Sequence, residues 1–339
     1  MTRFLFDNGW TLGLGALLAL LLLATKLIQP DFGVSGPDSL GRADSPFALA
    51  TLGMPVAVIA GGIDLSLTSM MAVCSASAAQ LMDSATVGQS APVVLSVLLL
   101  GAAMGALNGT LIVVTRVPDI VVTLAMLFVW QGAALLILNA AGGSAAPWPR
   151  DLIVGGVTLP GIPAALTQWL PKSLVFLLAC LALIWLPIRR AKLGLMFYAI
   201  GSDALAAFRA GVPVGRTKIA AYAVTGLFAA LGGLSVTMST GIGEPIPGPY
   251  LLATVAAVVL GGLVLGGVVL GGVVLGGVVL GGGRGGLLGP ILAVFVLRLV
   301  RMDLTLLSVD PNVTTIVEGS VMVVVVMFGG VLATRGRKA

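Results

Sequence analysis

Long apolar runs recur along the chain, most of them close to the length a bilayer requires. A helix crosses roughly 30 Å of hydrocarbon with about 20 apolar residues. On that measure the pattern predicts ten spans, near residues 10–28, 46–62, 65–82, 92–115, 119–139, 173–188, 218–239, 250–270, 286–301 and 314–333. Only the stretch Gly61-Gly62-Ile63-Asp64-Leu65-Ser66 separates the second from the third, so a broken or re-entrant helix is expected there. No long charged linker divides the chain, which predicts a single transmembrane domain over residues 1–339 of all-α, polytopic class. Met1 to Trp10 with the run behind it resembles a signal peptide. No small-x-small cleavage site follows and further spans do, so this run is read as the first anchor.

Composition sharpens this picture by exclusion. Of 339 residues 58% are apolar and 9% charged, with a mean hydropathy of +1.13. A soluble domain carries about 45–50% apolar and about 25% charged residues, so a water-soluble enzyme is excluded. The chain has no histidine, which removes histidine acid/base chemistry and the commonest metal ligand. Cys74 and Cys180 stand in apolar stretches without partner spacing and read as small buried hydrophobes. No phosphate-binding Gly-x-x-x-x-Gly-Lys-Ser/Thr string and no Gly-x-Ser-x-Gly elbow occurs. Gly281, Gly283 and Gly286 match Gly-x-Gly-x-x-Gly, but within an apolar glycine-saturated tract rather than a strand–turn–helix unit. The carboxylates Asp64, Asp119 and Glu318 lie in or near spans, where such groups serve either as wet boundary residues or as a proton path. No catalytic residue and no metal site is expected.

Charge then orients the spans. Cytoplasmic loops are enriched in Lys and Arg. With the N-terminus inside, ten spans put Arg3, Arg116, Arg189, Arg190, Lys192, Arg209, Arg216, Lys218, Arg284, Arg335, Arg337 and Lys338 inside, and Asp31, Asp38, Asp44, Asp83, Asp151, Glu244, Asp303 and Asp310 outside. Both termini are therefore expected inside, and Lys26, Arg42, Arg150, Lys172, Arg298 and Arg301 run against the rule. The net charge of +5 belongs to these loops, with the lipid bilayer and not nucleic acid as the partner. Trp148 and Trp169 in the outer segment 140–171 suit an interfacial aromatic belt. Gly101, Gly105 and Gly109 share one helical face, which lets a second helix approach closely.

The inner segment 189–218 is the most informative. Ser202 or Asp203 can cap a short helix, Asp203-Ala204-Leu205-Ala206-Ala207-Phe208-Arg209-Ala210, which turns at Gly211 before Val212-Pro213. Its basic flanks suit either anionic lipid or a protein partner.

Four blocks in order resemble a known family, the permease subunits of bacterial ABC sugar importers of the ribose, xylose, rhamnose and autoinducer-2 type. They are Ala60–Ala72 with its Gly-Gly-Ile-Asp-Leu-Ser string, Gly105–Leu127, the segment Ala199–Val212, and Ala256–Gly262 closed by Gly283-Arg284-Gly285. The likeness runs from about residue 45 to the end of the chain. It implies a membrane subunit that forms the translocation pathway for a monosaccharide or similar small polyol in the bacterial inner membrane. The partners it implies are cytoplasmic ABC ATPases, a periplasmic binding protein and a second permease copy or a related permease. ATP and magnesium would sit on the ATPase, leaving this chain without a cofactor. By the same resemblance Gly201, Asp203, Ala206, Ala207, Arg209 and Gly211 form the ATPase-coupling segment. Gly61, Gly62, Asp64, Ser66, Asn108, Gly109, Pro118 and Thr123 are motif and pathway candidates, and Gly261, Gly262, Gly283, Arg284 and Gly285 belong to a glycine-rich cytoplasmic-side segment. Small residues at Ala206, Ala207 and Gly211 would let the short helix seat in a groove of the ATPase, with Arg209 pairing to an acidic residue. A stand-alone secondary transporter or channel is the alternative, and an intramembrane enzyme a remote third.

The sequence departs from that family in three places. Asp119 stands where an apolar residue is usual, and Gln131-Gly132 where Arg-Gly is usual. Five near-identical five-residue units run from Val258 to Gly282, against one unit in the family, an excess of roughly 15 residues. A five-residue period advances about 140° per unit on an α-helix, so the glycine pairs scatter over several faces. The tract 258–286 therefore reads as a repeat expansion of one element rather than a binding site.

Overall fold

The computed structural model describes residues 9–33, 35–83, 89–158, 167, 170–246, 283, 287–317 and 319–320. Among them the chain is helical, with α1 Gly9–Ile28, α2 Ser35–Ile59, α3 Leu67–Asp83, α4 Ser90–Thr115, α5 Asp119–Ile137, α6 Pro147–Asp151, α7 Lys172–Arg190, α8 Lys192–Ser202, α9 Ala204–Arg209, α10 Val214–Thr240 and α11 Leu288–Leu306. Extended pairing among the described residues is limited to the isolated bridges Gly142–Gly243 and Gly156–Pro171. Among the described residues four helices are long and apolar enough to cross a membrane by themselves: α4, α5, α7 and α10. They match the expected spans at 92–115, 119–139, 173–188 and 218–239. The expected span 250–270 and Trp169 lie outside the described residues, as does most of 314–333, Glu318 included.

The centre of the bundle is α10, which packs on α2, α3 and α4. Close approach to α4 depends on glycine. A Cβ on Gly105 would strike the Tyr222 carbonyl, and one on Gly226 the Gly101 carbonyl. These contacts put the helix face expected for Gly101, Gly105 and Gly109 against α10. Hydroxyls reinforce the other seams: Ser45 to Ser235 at 3.0 Å, Ser75 to Thr237 at 3.1 Å, and Thr225 to the Gly53 carbonyl at 3.1 Å. Helix α3 falls below the length and hydropathy of a free-standing span because α4, α5 and α10 cover it. All but three of its seventeen residues are buried, so its serines and threonines never meet lipid.

Three features depart from the sequence reading. Helix α2 begins at Ser35, well ahead of the expected 46, because Asp38 and Arg42 pair one turn apart at 3.0 Å and carry a polar first segment. Residues 192–202, read as loop, form α8. Helix α7 widens to a π-turn at Leu181–Trp185, where Leu186 donates to the Leu181 carbonyl just before Pro187, which has no N–H to give.

The bundle has two chemically distinct ends. At one lie Arg116, Arg189, Arg190, Lys192, Arg209, Arg216 and Lys218, with the carboxylates Asp64, Asp119 and Asp203 at the same end. At the other lie Asp31, Asp38, Asp44, Asp83, Asp151, Glu244 and Asp303 among the remaining cations, and Trp148 donates there to Ser90 Oγ.

Candidate functional site

The discontinuity between α2 and α3 is built by its own sequence. Gly61 takes φ +80°, and the N–H groups of Gly61 and Gly62 close back on the Val58 and Ala57 carbonyls, capping α2. Two residues on, Asp64 Oδ1 accepts from the Ser66 N–H at 3.0 Å and its hydroxyl at 2.6 Å, which turns the chain into α3. Asp64 is 1% exposed and its Oδ2 is buried with no hydrogen-bond partner. A carboxylate so placed is costly unless it has a role.

Two branches of hydrogen bonds leave this break. In the first, Asn108 Nδ2 donates to Ser66 Oγ at 2.7 Å, and Trp130 Nε1 donates to Asn108 Oδ1 at 3.2 Å. In the second, the Ile63 carbonyl accepts from Thr123 Oγ1 at 3.2 Å and from the Tyr222 hydroxyl at 3.4 Å. The single hydroxyl hydrogen is shared with Asp119 Oδ2, the shorter contact at 2.8 Å, and Lys218 Nζ meets Asp119 Oδ1 at 2.7 Å. Asp119 opens α5 directly after Pro118, where its charge also suits the helix N-terminus. A Cβ on Gly62 would collide with Asp119 Oδ2 and the Tyr222 hydroxyl, and one on Gly109 would come within 3.1 Å of Tyr222 Cβ.

Gly61, Gly62, Asp64, Ser66, Asn108, Gly109 and Thr123 therefore meet at one place, with Pro118 at its exposed edge. Lys218, Tyr222 and Trp130 belong to the same network, although sequence reasoning left them out. The available signal was the spacing of Lys218 and Tyr222, four residues apart on one face of α10 and so able to grip a single carboxylate.

The 199–213 segment folds beside the break. Asp203 caps α9, its Oδ1 accepting from the Leu205 and Ala206 N–H groups at 2.9 Å each. Gly211 takes φ +83° after the helix and donates to the Phe208 carbonyl, while Val212 donates to the Ala207 carbonyl. Ala206 and Arg209 are exposed, but Ala207 is 6% exposed and faces its own chain. The outward apolar residues are Leu205 at 59% and Phe208 at 67%. The small Ala207 side chain thus packs against its own chain, while its bulky neighbours Leu205 and Phe208 face out. Gly201 is buried against the end of α2, where a Cβ would strike the Ile59 carbonyl. Gly283 reaches the same point, donating to the Ile59 carbonyl at 2.9 Å. Gly261, Gly262, Arg284 and Gly285 lie outside the described residues.

Chemically the site is an interlocked set of hydrogen bonds around an interrupted helix. Among the described residues no three His, Cys, Asp or Glu side chains gather as a metal site, and Cys74 and Cys180 are both buried free thiols.

Comparison with known proteins gives a consistent family signal. Residues 40–326 match the family described as branched-chain amino acid transport system / permease component. The autoinducer 2 import system permease protein LsrD of Escherichia coli K12 is 29% identical over 331 residues, covering 94% of this chain and 91% of the relative. The protein of that name from Shigella flexneri has the same identity and coverage. No solved structure matches.

Proposed function

The chain belongs to the branched-chain amino acid transport system / permease component family, and from that membership we propose that it is the pathway-forming subunit of an ATP-driven ABC importer. The observation that carries the reading is likeness to import permeases over nearly the whole chain, 94% of it. The absence of a phosphate-binding loop agrees, since nucleotide would be handled by a separate ATPase. The cargo is a monosaccharide or similar small polyol, and the relatives named for autoinducer 2 import add that signal to the candidates.

In this reading the chain crosses the bacterial inner membrane ten times with both termini in the cytoplasm. The end rich in Arg and Lys is the cytoplasmic one. ATPase subunits dock on α9, with Leu205 and Phe208 as the anchors and Arg209 beside them. A periplasmic binding protein delivers cargo at the opposite end, and a second permease copy or a related permease completes the pathway. ATP and magnesium stay on the ATPase.

Co-expression with an ATPase and a binding protein encoded beside this gene tests the proposal. A stable complex that takes up labelled sugar only with ATP is expected. Uptake by the purified chain alone, driven by a proton gradient, would overturn it in favour of a secondary transporter.

A further inference from the structure

We propose that Lys218, Tyr222 and Asp119 are positioning residues for energy coupling: they fasten the interrupted helix at 60–66 to the helix that continues from α9, so movement of the 199–213 segment reaches the break directly. The inference rests on the permease reading above.

Five relationships carry it. Helix α9 ends at Arg209 and α10 starts at Val214, so only four residues separate the exposed apolar helix from the central helix of the bundle. Lys218 lies about one turn into α10 and Tyr222 one turn further, on the same face. Together they occupy both oxygens of Asp119, at 2.7 and 2.8 Å, and the Tyr222 hydroxyl extends to the Ile63 carbonyl inside the break. The pair is largely withdrawn from water, with side chains 22% and 14% exposed, so solvent screens it less than a surface pair. On the other flank of α9, Gly201 abuts the Ile59 carbonyl, and a Cβ built on Gly61 would touch the Gly201 Cα at 3.4 Å. The break is thus held from both sides of α9. What it positions in turn is the buried Asp64–Ser66–Asn108 chain, whose far end is the Trp130 indole.

Lateral pull on α10 cannot leave the break where it is unless Tyr222 parts from the Ile63 carbonyl and from Gly62, which the Asp119–Lys218 pair opposes by holding the Tyr222 hydroxyl in place. A packed core shifts between discrete arrangements rather than deforming smoothly, so this linkage moves the break as a unit. Trp130 then serves as a built-in reporter.

The test uses the chain purified with its ATPase subunits, labelled with 5-fluorotryptophan, with the Trp130 19F resonance assigned through Trp130→Phe. Addition of ATP, magnesium and orthovanadate is expected to shift that resonance in the unmodified complex. In Lys218→Met/Asp119→Leu the shift should shrink at least threefold while the ATPase remains bound and Tm stays near that of the parent. A full-size shift in this variant, or no shift in the unmodified complex, overturns the proposal. If the double variant proves unstable, Tyr222→Phe decides: a reduced shift supports the linkage and an unchanged one overturns it. Failure of any ATPase to bind the unmodified chain is a separate result, which defeats the permease reading itself.

Discussion

The Gly283 N–H donates to the Ile59 carbonyl across 2.9 Å, closing the C-terminal end of α2 with a residue more than two hundred positions away. Gly201 packs against the same carbonyl, and a Cβ there would also press on the Gly283 nitrogen. Three segments singled out by their glycines, 60–66, 199–213 and the end of the repeat tract, are therefore one structural unit at the basic end of the bundle. Gly61 and Gly283 both sit at positive φ, at +80° and +72°, so neither position tolerates a side chain without strain.

Gly201→Val should expel either Gly283 or the end of α2 from this contact. Overpacking of a close-packed site costs about 1–3 kcal/mol or more. The expected outcome is a lower Tm in detergent and loss of uptake, with membrane insertion retained because the apolar spans are untouched. Thermal unfolding and membrane fractionation measure both. A Gly201→Val variant with parental Tm would contradict the packing described.

The Lys218–Asp119 pair predicts a double-mutant cycle with strong coupling. Lys218→Met leaves a mostly buried carboxylate with only the Tyr222 hydroxyl. An unsatisfied buried polar group costs about 1–3 kcal/mol, and more when charged. Asp119→Leu strands the ammonium in the same way. The double replacement removes both charges and should recover most of the loss. Additive single losses measured by thermal unfolding would mean that the two groups do not interact.

These predictions draw on features with very different visibility in the sequence. The spans α4, α5, α7 and α10 were legible as uninterrupted apolar runs, and the end of α2 at Gly61-Gly62 as a glycine pair inside one. The α9 cap was legible too, because Asp203 and Gly211 bracket the helix locally. Helix α8 was not, since Lys192-Leu193-Gly194-Leu195 carries a glycine and its buried face shows only once Phe197 and Ile200 find partners. Nor was the Asp119–Lys218 pair, whose members stand 99 residues apart with no spacing rule to connect them. The face that α9 turns outward was not legible either: a six-residue helix has too few positions for periodicity to separate an inward Ala207 from an outward Phe208.

On α9, substitutions should divide by side. Phe208→Ala and Leu205→Ala remove exposed apolar surface, and so should leave Tm unchanged while weakening retention of the ATPase. Buried apolar area at an interface contributes about 25 cal/mol per Å², and two bulky side chains in one patch make a strong anchor. Ala207→Leu should instead lower Tm, since its Cβ already points into the fold at 6% exposure. Co-purification alongside thermal unfolding distinguishes the two classes. Equal loss of stability from all three would show that Leu205 and Phe208 are not free surface.

The repeat tract can be shortened, and chain geometry says by how much. Gly243 pairs with Gly142 at the acidic end of the bundle, whereas Gly283 is fixed to Ile59 at the basic end. The 36 residues from 247 to 282 must therefore join opposite ends. A helical crossing of roughly 30 Å uses about 20 residues at 1.5 Å each. Removing three five-residue units leaves 21 residues, enough for one such crossing. The expected outcome is a variant with parental membrane insertion, a Tm at least equal to the parent's, and retained ATPase binding. Removing 30 of the 36 residues, the five units and five residues more, leaves six, which reach only about 20 Å fully extended, too little to span the bundle, and should abolish folding. Thermal unfolding of both deletions provides the check: equal stability in the two would refute the placement of Gly243 and Gly283 at opposite ends.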